Sequence, residues 1–185
     1  MGRQRVGAVM RNPLTLTGLV LAGANGPAKE GKPLGVLTAE AIAGQRLDRL
    51  QLAVLSAYET GLGENKRGEG AFGLQRAFHQ GGCRNVVASL WKVDDSATAA
   101  LMALFYRKLW DGDGLPPAEA LRQAQLMLLR HPESIGALAK GRGPDFEKEY
   151  ERIGPAAKPD ARPVEGQARL AAKLWAAFVL SGPGD

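Results

Sequence analysis

The chain has 185 residues, 45% hydrophobic and 23% charged, which suits one soluble domain and argues against more than one. Its formal net charge of +5 permits weak attraction to anionic surfaces, but the lysines and arginines come in ones and twos among acidic residues, as from Glu147 to Arg152, so nucleic-acid binding is not expected. The single cysteine, Cys83, excludes an internal disulfide framework and a cysteine-based metal cage, and no apolar run is long enough to cross a bilayer; the expectation is a cytoplasmic protein with no metal, no cofactor and no membrane partner.

In chain order, the apolar cluster from Leu14 to Ala22 predicts a buried strand running into a Gly/Pro-rich loop, Gly23 to Pro33. Thr38 as N-cap and Glu40 in the first turn predict a short helix within Leu37 to Gln45. Two continuously apolar runs of strand length, Leu52 to Ser56 and Val86 to Leu90, carry the pattern of strands buried on both faces. Between them Ala71, Phe72, Leu74, Ala77 and Phe78 recur at helical spacing, and Gly81-Gly82 ends that helix. A strand, helix, strand unit of this kind predicts an α/β fold with a parallel sheet.

Asp94 or Asp95 is expected to cap a long helix to about Trp110, with Ala97, Leu101, Leu104, Phe105 and Lys108 along its buried stripe. Pro116-Pro117 opens a further helix through about Arg130, since proline suits a first turn whose N–H has no partner. From His131 to Gly166 five prolines and a charged patch predict a mobile excursion with one short helix. Ala168 to Leu174 is expected to be helical, and Trp175 to Leu180 to form a last core strand.

The segment Val54-Leu-Ser-Ala-Tyr-Glu-Thr-Gly-Leu-Gly-Glu64 concentrates the functional signal. A buried strand that breaks into a glycine-rich turn presents its next side chain, here Tyr58, at the C-terminal edge of the sheet, where open α/β folds place their ligands. Taken with Asn12 to Asn25, Gly35-Val-Leu-Thr-Ala-Glu40, Gly68-Glu-Gly-Ala-Phe-Gly-Leu-Gln-Arg-Ala-Phe78, Val86 to Asp95 and Trp175-Ala-Ala-Phe-Val-Leu-Ser-Gly182, the segment resembles the C-terminal half of a CHAT domain, a family in the caspase- and separase-like peptidase clan. The resemblance covers nearly the whole chain in order, leaving out 131–166. It implies a caspase-like three-layer α/β fold with a mainly parallel sheet, organised as a single partial domain over 1–185 with a flexible insertion at 131–166.

It also implies a cysteine after the Leu-Ser-Ala strand that attacks a peptide carbonyl, and a histidine on an earlier strand as its base. That pairing suits the chemistry, because the thiolate is the competent nucleophile and an adjacent imidazole both promotes it and protonates the leaving amine. Here the cysteine position holds Tyr58, a phenol of reference pKa about 10 against about 8.5 for a thiol. The base-bearing strand would precede Asn12, and the only histidines, His79 and His131, fall at late or terminal positions of predicted helices. Cys83, just before a strand, reads as a small core thiol. No intact catalytic pair is therefore expected.

If strands are missing upstream, the strand Leu14 to Leu21 or Leu52 to Ser56 is left with an open edge, so self-association, completion by another chain, or a truncated product are the expected alternatives. Glu59, Thr60, Gly61, Asp94 and Asp95 are candidates to line a peptide pocket, the two aspartates being equally well placed to cap the helix that follows them. The functional expectation is a non-catalytic module that binds a peptide or protein partner, a pseudo-protease; the alternative is a peptidase completed by another chain. A third class, nucleotide binding, rests on Gly68-x-Gly70-x-x-Gly73 and on Asp94 further on. The spacing opposes it, because Ala57 to Arg67 separate strand from glycines.

Overall fold

The structure is a computed structural model that describes residues 14, 17–22, 24, 26, 35–56, 69–110, 114–153 and 171–185. It divides into two compact units, one of Met1–Leu50 with Glu59–Cys83, the other of Gln51–Tyr58 with Arg84–Asp185. The class is mixed α/β, as expected.

In the first unit β1 (Gly18–Val20) pairs antiparallel with β2 (Val36–Thr38), Leu19 facing Leu37. Among the described residues of the predicted buried strand Leu14 to Ala22, only Gly18–Val20 is strand, and Val20 and Leu21 are exposed; Leu37 and Thr38 belong to β2, not to the helix. Thr38 still caps α1 (Ala39–Ala43): in extended conformation, its hydroxyl oxygen accepts the Ala41 N–H at 3.2 Å, satisfying one of the first-turn donors. α1 packs on α2 (Glu69–Gln80), with Ile42, Leu74 and Ala77 buried.

The end of α2 follows from its glycines. Cys83 N–H donates to Phe78 O at 2.9 Å and Gly82 N–H to His79 O at 3.0 Å, the two bonds of a Schellman motif, with Gly82 left-handed at φ 103°. A Cβ on Gly82 would stand 3.0 Å from the Asp48 backbone nitrogen, so both conformation and space select glycine.

In the second unit β3 (Leu52–Leu55), β4 (Asn85–Ser89) and β5 (Phe178–Ser181) form one sheet in that order. β3 pairs parallel with β4, Leu55 opposite Ala88, as the two apolar runs predict. β5 returns antiparallel on the other side, Ser89 opposite Phe178, so the sheet is mixed. All five residues of β4 are buried, consistent with its central place. The last strand starts three residues later than expected, because Ala172–Trp175 winds into a helical turn (α7 below) and Ala176 and Ala177 lead into the sheet.

α3 (Asp95–Trp110) and α4 (Pro117–Arg130) pack against each other. Ala97, Leu101, Leu104, Phe105 and Lys108 are all buried on α3, as the helical spacing requires, and Ala120, Leu121, Ala124, Met127 and Leu128 form the matching stripe on α4. Each large side chain here contributes about 1.5–3 kcal/mol by leaving water. Lys108 is 1% exposed, its stem in the core and its ammonium 5.8 Å from the Tyr150 ring centre.

The segment expected to carry one short helix carries more. After His131 come a 3₁₀ turn (Pro132–Ser134), α5 (Ile135–Leu138) and α6 (Pro144–Ile153), and α5 packs on α3. Leu138, Phe146 and Ile153 are buried in the common core. Arg152 ties the segment together, donating to Glu133 at 3.1 Å, to Ser134 Oγ at 2.8 Å and to Glu149 at 2.6 Å. Residues 154–170 lie outside the described ones. Then α7 (Ala172–Trp175) precedes β5.

Candidate functional site

Parallel pairing of β3 with β4 sends both strands out at the same edge of the sheet, so the chain leaving Leu55 toward Tyr58 and the loop leaving Ser89 toward Asp94 start side by side. This is the edge at which α/β sheets gather their functional loops. Tyr58, Glu59, Thr60, Gly61 and Glu64 lie outside the described residues.

The second loop is described throughout. Leu90 N–H donates to Ala177 O at 2.8 Å, and the Trp91 indole N–H to Lys173 O at 3.1 Å, which anchors the loop to the chain entering β5. Asp94 Oδ1 accepts the Ala97 N–H at 3.0 Å and its carbonyl accepts the Thr98 N–H at 2.9 Å, so Asp94 is the N-cap of α3. Asp95 occupies the first turn, where a negative charge meets the positive end of the helix dipole. Both are exposed at the helix end. A cap spends one carboxylate oxygen of Asp94 and leaves the other oxygen and Asp95 available to a ligand.

The two histidines are held locally and in different units. His79 Nδ1 lies 3.0 Å from the Cys83 carbonyl oxygen, at the end of α2. His131 follows α4, its Nδ1 3.4 Å from Glu133 Oε1. Cys83 is a reduced, buried thiol, 3% exposed, in the turn before β4.

The glycines of the possible nucleotide fingerprint are placed differently from what that function needs. α2 begins at Glu69, so Gly70 and Gly73 sit inside the helix and not in a turn ahead of it. At Gly73 a Cβ would lie 3.4 Å from the Thr17 side chain, so that glycine serves close packing. Among the described residues no group of three or more His, Cys, Asp or Glu side chains could hold a metal ion, and no helix is long and apolar enough to cross a membrane.

One constellation had no signal in the sequence. Asn85, fully buried at the start of β4, donates through Nδ2 to Asp185 O at 3.1 Å and accepts the Gly184 N–H at 2.9 Å. Arg84 beside it binds both carboxylate oxygens of Asp185, at 3.2 and 2.5 Å. This clamp fixes the segment after β5 to the opposite end of β4 from the candidate site.

No curated protein and no solved structure matches the chain. The family model of the CHAT domain matches residues 7–183, nearly all of it. With the motif order, the parallel β3/β4 pair and that match in agreement, the chain belongs to the CHAT domain family, which is related to caspase-like peptidases.

Proposed function

We propose that this CHAT domain binds a peptide or a partner chain at the edge where β3 and β4 end, and does not cleave it. The observation that carries the proposal is Tyr58: the position that corresponds by motif to the family's cysteine holds a phenol. At neutral pH a phenol of pKa about 10 is almost wholly protonated, and its oxygen sits at the end of a rigid ring, well beyond where a cysteine sulfur would reach. The remaining thiol supports the same conclusion, since Cys83 is buried.

The binding half of the proposal rests on chemistry that survives without a nucleophile. Asp95 and the second oxygen of Asp94, both exposed in the segment that follows β4, favour a basic side chain in the bound peptide. Tyr58 also counts against a peptidase completed by another chain, because the nucleophile as well as the histidine would then have to be supplied in trans. A cytoplasmic setting is part of the same proposal, the lone cysteine having no disulfide partner in the chain.

The test is affinity selection of a mixed peptide library on the immobilised protein, with mass spectrometry of what is retained. Retention of intact peptides enriched in Lys or Arg is expected. Recovery of new termini, or no enrichment over a blank support, contradicts it.

A further inference from the structure

A second site lies in the Arg84–Asp185 unit, on the outer side of α3. A groove of about 480 Å³ runs between α3 and the α5–α6 segment, within the range of pockets that hold small ligands or a single anchoring side chain. Ala99 and Ala103, one turn apart on α3, leave its floor open, and Phe146 lines it from α6. One end is an aromatic wall. Tyr106 and Trp110 stack with ring centres 4.9 Å apart and planes within 1°, and Trp110 is 70% exposed, unusual for the largest apolar side chain.

The charge at the mouth is unbalanced. Arg107 is paired with Glu147 at 3.1 Å and lies over the Tyr150 ring, which fixes its guanidinium in place. Arg142, between Gly141 and Gly143, is exposed and has no ion pair among the described residues. Neighbouring Lys140 is paired with Asp145. An arriving carboxylate can therefore take Arg142 as a bidentate partner without breaking an existing pair.

We infer that this groove is a docking site for an acidic segment of a partner protein, a large apolar side chain entering over Ala99 and Ala103 against Trp110 while an adjacent Asp or Glu pairs with Arg142. A protein partner is favoured by the combination of an exposed tryptophan, a tyrosine and two arginines, the residue types that dominate binding energy at protein interfaces. None of the groove's described lining residues belongs to the loop after β4, and its test uses residues other than Tyr58, Asp94 and Asp95, so the two sites are tested independently.

The experiment is fluorescence anisotropy of a labelled Gly-Asp-Phe-Asp-Gly peptide and of its Lys-for-Asp counterpart, titrated with the full chain. Arg142→Glu reverses the exposed charge, and Ala99→Trp fills the groove from an exposed helix position without touching the core. Saturable binding of the acidic peptide is expected, weakened about tenfold or more by the lysine replacement and by each substitution, with the helical circular dichroism of both variants unchanged. Absence of saturation at millimolar protein, equal affinity for the lysine peptide, or undiminished binding in either variant overturns the inference.

Discussion

The side-chain amide of Asn85 donates to the main-chain carbonyl of Asp185 at 3.1 Å across 100 positions of sequence. Because Asn85 is fully buried, the same side chain also has to satisfy the Gly184 N–H, which it does through Oδ1 at 2.9 Å. Replacing Asn85 with alanine leaves two main-chain groups without partners, each costing about 1–3 kcal/mol if it stays dry. Asn85→Ala should therefore lower the urea midpoint markedly. The Arg84–Asp185 pair is half exposed on both sides, so Arg84→Ala should lower the midpoint much less than Asn85→Ala. Equal losses for the two variants would show that the clamp is held by the ion pair and not by the amide.

Glu149 gives a pH dependence with a definite sign. The hydrogen bond from Arg152, followed by that from Ser134, holds its carboxyl at about 2, below the usual 4.5. A depressed carboxylate stabilises the fold above its unfolded pKa, and that contribution disappears as pH falls through the folded value. The window is therefore from about 4.5 down to about 2. Arg152 is half exposed, so solvent screens the pair and the effect is small. Arg152→Met should slightly reduce stability at pH 7 and lie progressively closer to wild type below pH 4.5 in denaturant titrations. A gap that stays constant down to pH 2 would contradict the assignment.

At the N-terminus of α3, Asp94→Ala should cost about 0.5–2 kcal/mol through loss of the cap to Ala97, while Asp94→Asn or Asp94→Ser should restore most of it. Thermal denaturation of the three variants checks this. The asparagine variant also separates two roles, since it keeps the cap and removes the charge. If the edge binds basic peptides, Asp94→Asn should weaken their retention while leaving the melting temperature nearly unchanged.

Parts of this architecture were legible for clear physical reasons. Leu52 to Leu55 and Val86 to Ser89 are apolar at every or nearly every position, as strands inside a covered sheet are, and they do form the parallel pair; β4 is buried throughout, whereas in β3 only Ala53 and Leu55 are buried. Asp94 and Pro117 mark helix starts by local chemistry that needs no tertiary context. Of the helical structure after His131 only one short helix was expected, because its apolar residues are sparse: Leu138, Phe146 and Ile153 are separated by glycines, a proline and charges, and are buried in the core that α3 shares. The start of β5 was misplaced because Trp175-Ala-Ala is as apolar as the strand itself, and only pairing with β4 decides which residues are extended. At the site, Tyr58 was visible through its motif, whereas the groove beside Trp110 is assembled from α3, α6 and the loop between α5 and α6, and leaves no local pattern.

Whether the family's chemistry survives in this chain is tested most directly by a time course of peptide cleavage, followed by mass spectrometry, with the purified protein and its Tyr58→Cys variant on a mixed peptide library. No new peptide termini are expected from either, because on the proposed reading Tyr58 stands where the family has its thiol, and restoring the thiol alone provides no paired imidazole: His79 and His131 are committed to the ends of their own helices. Cleavage by the wild-type chain would contradict the central claim.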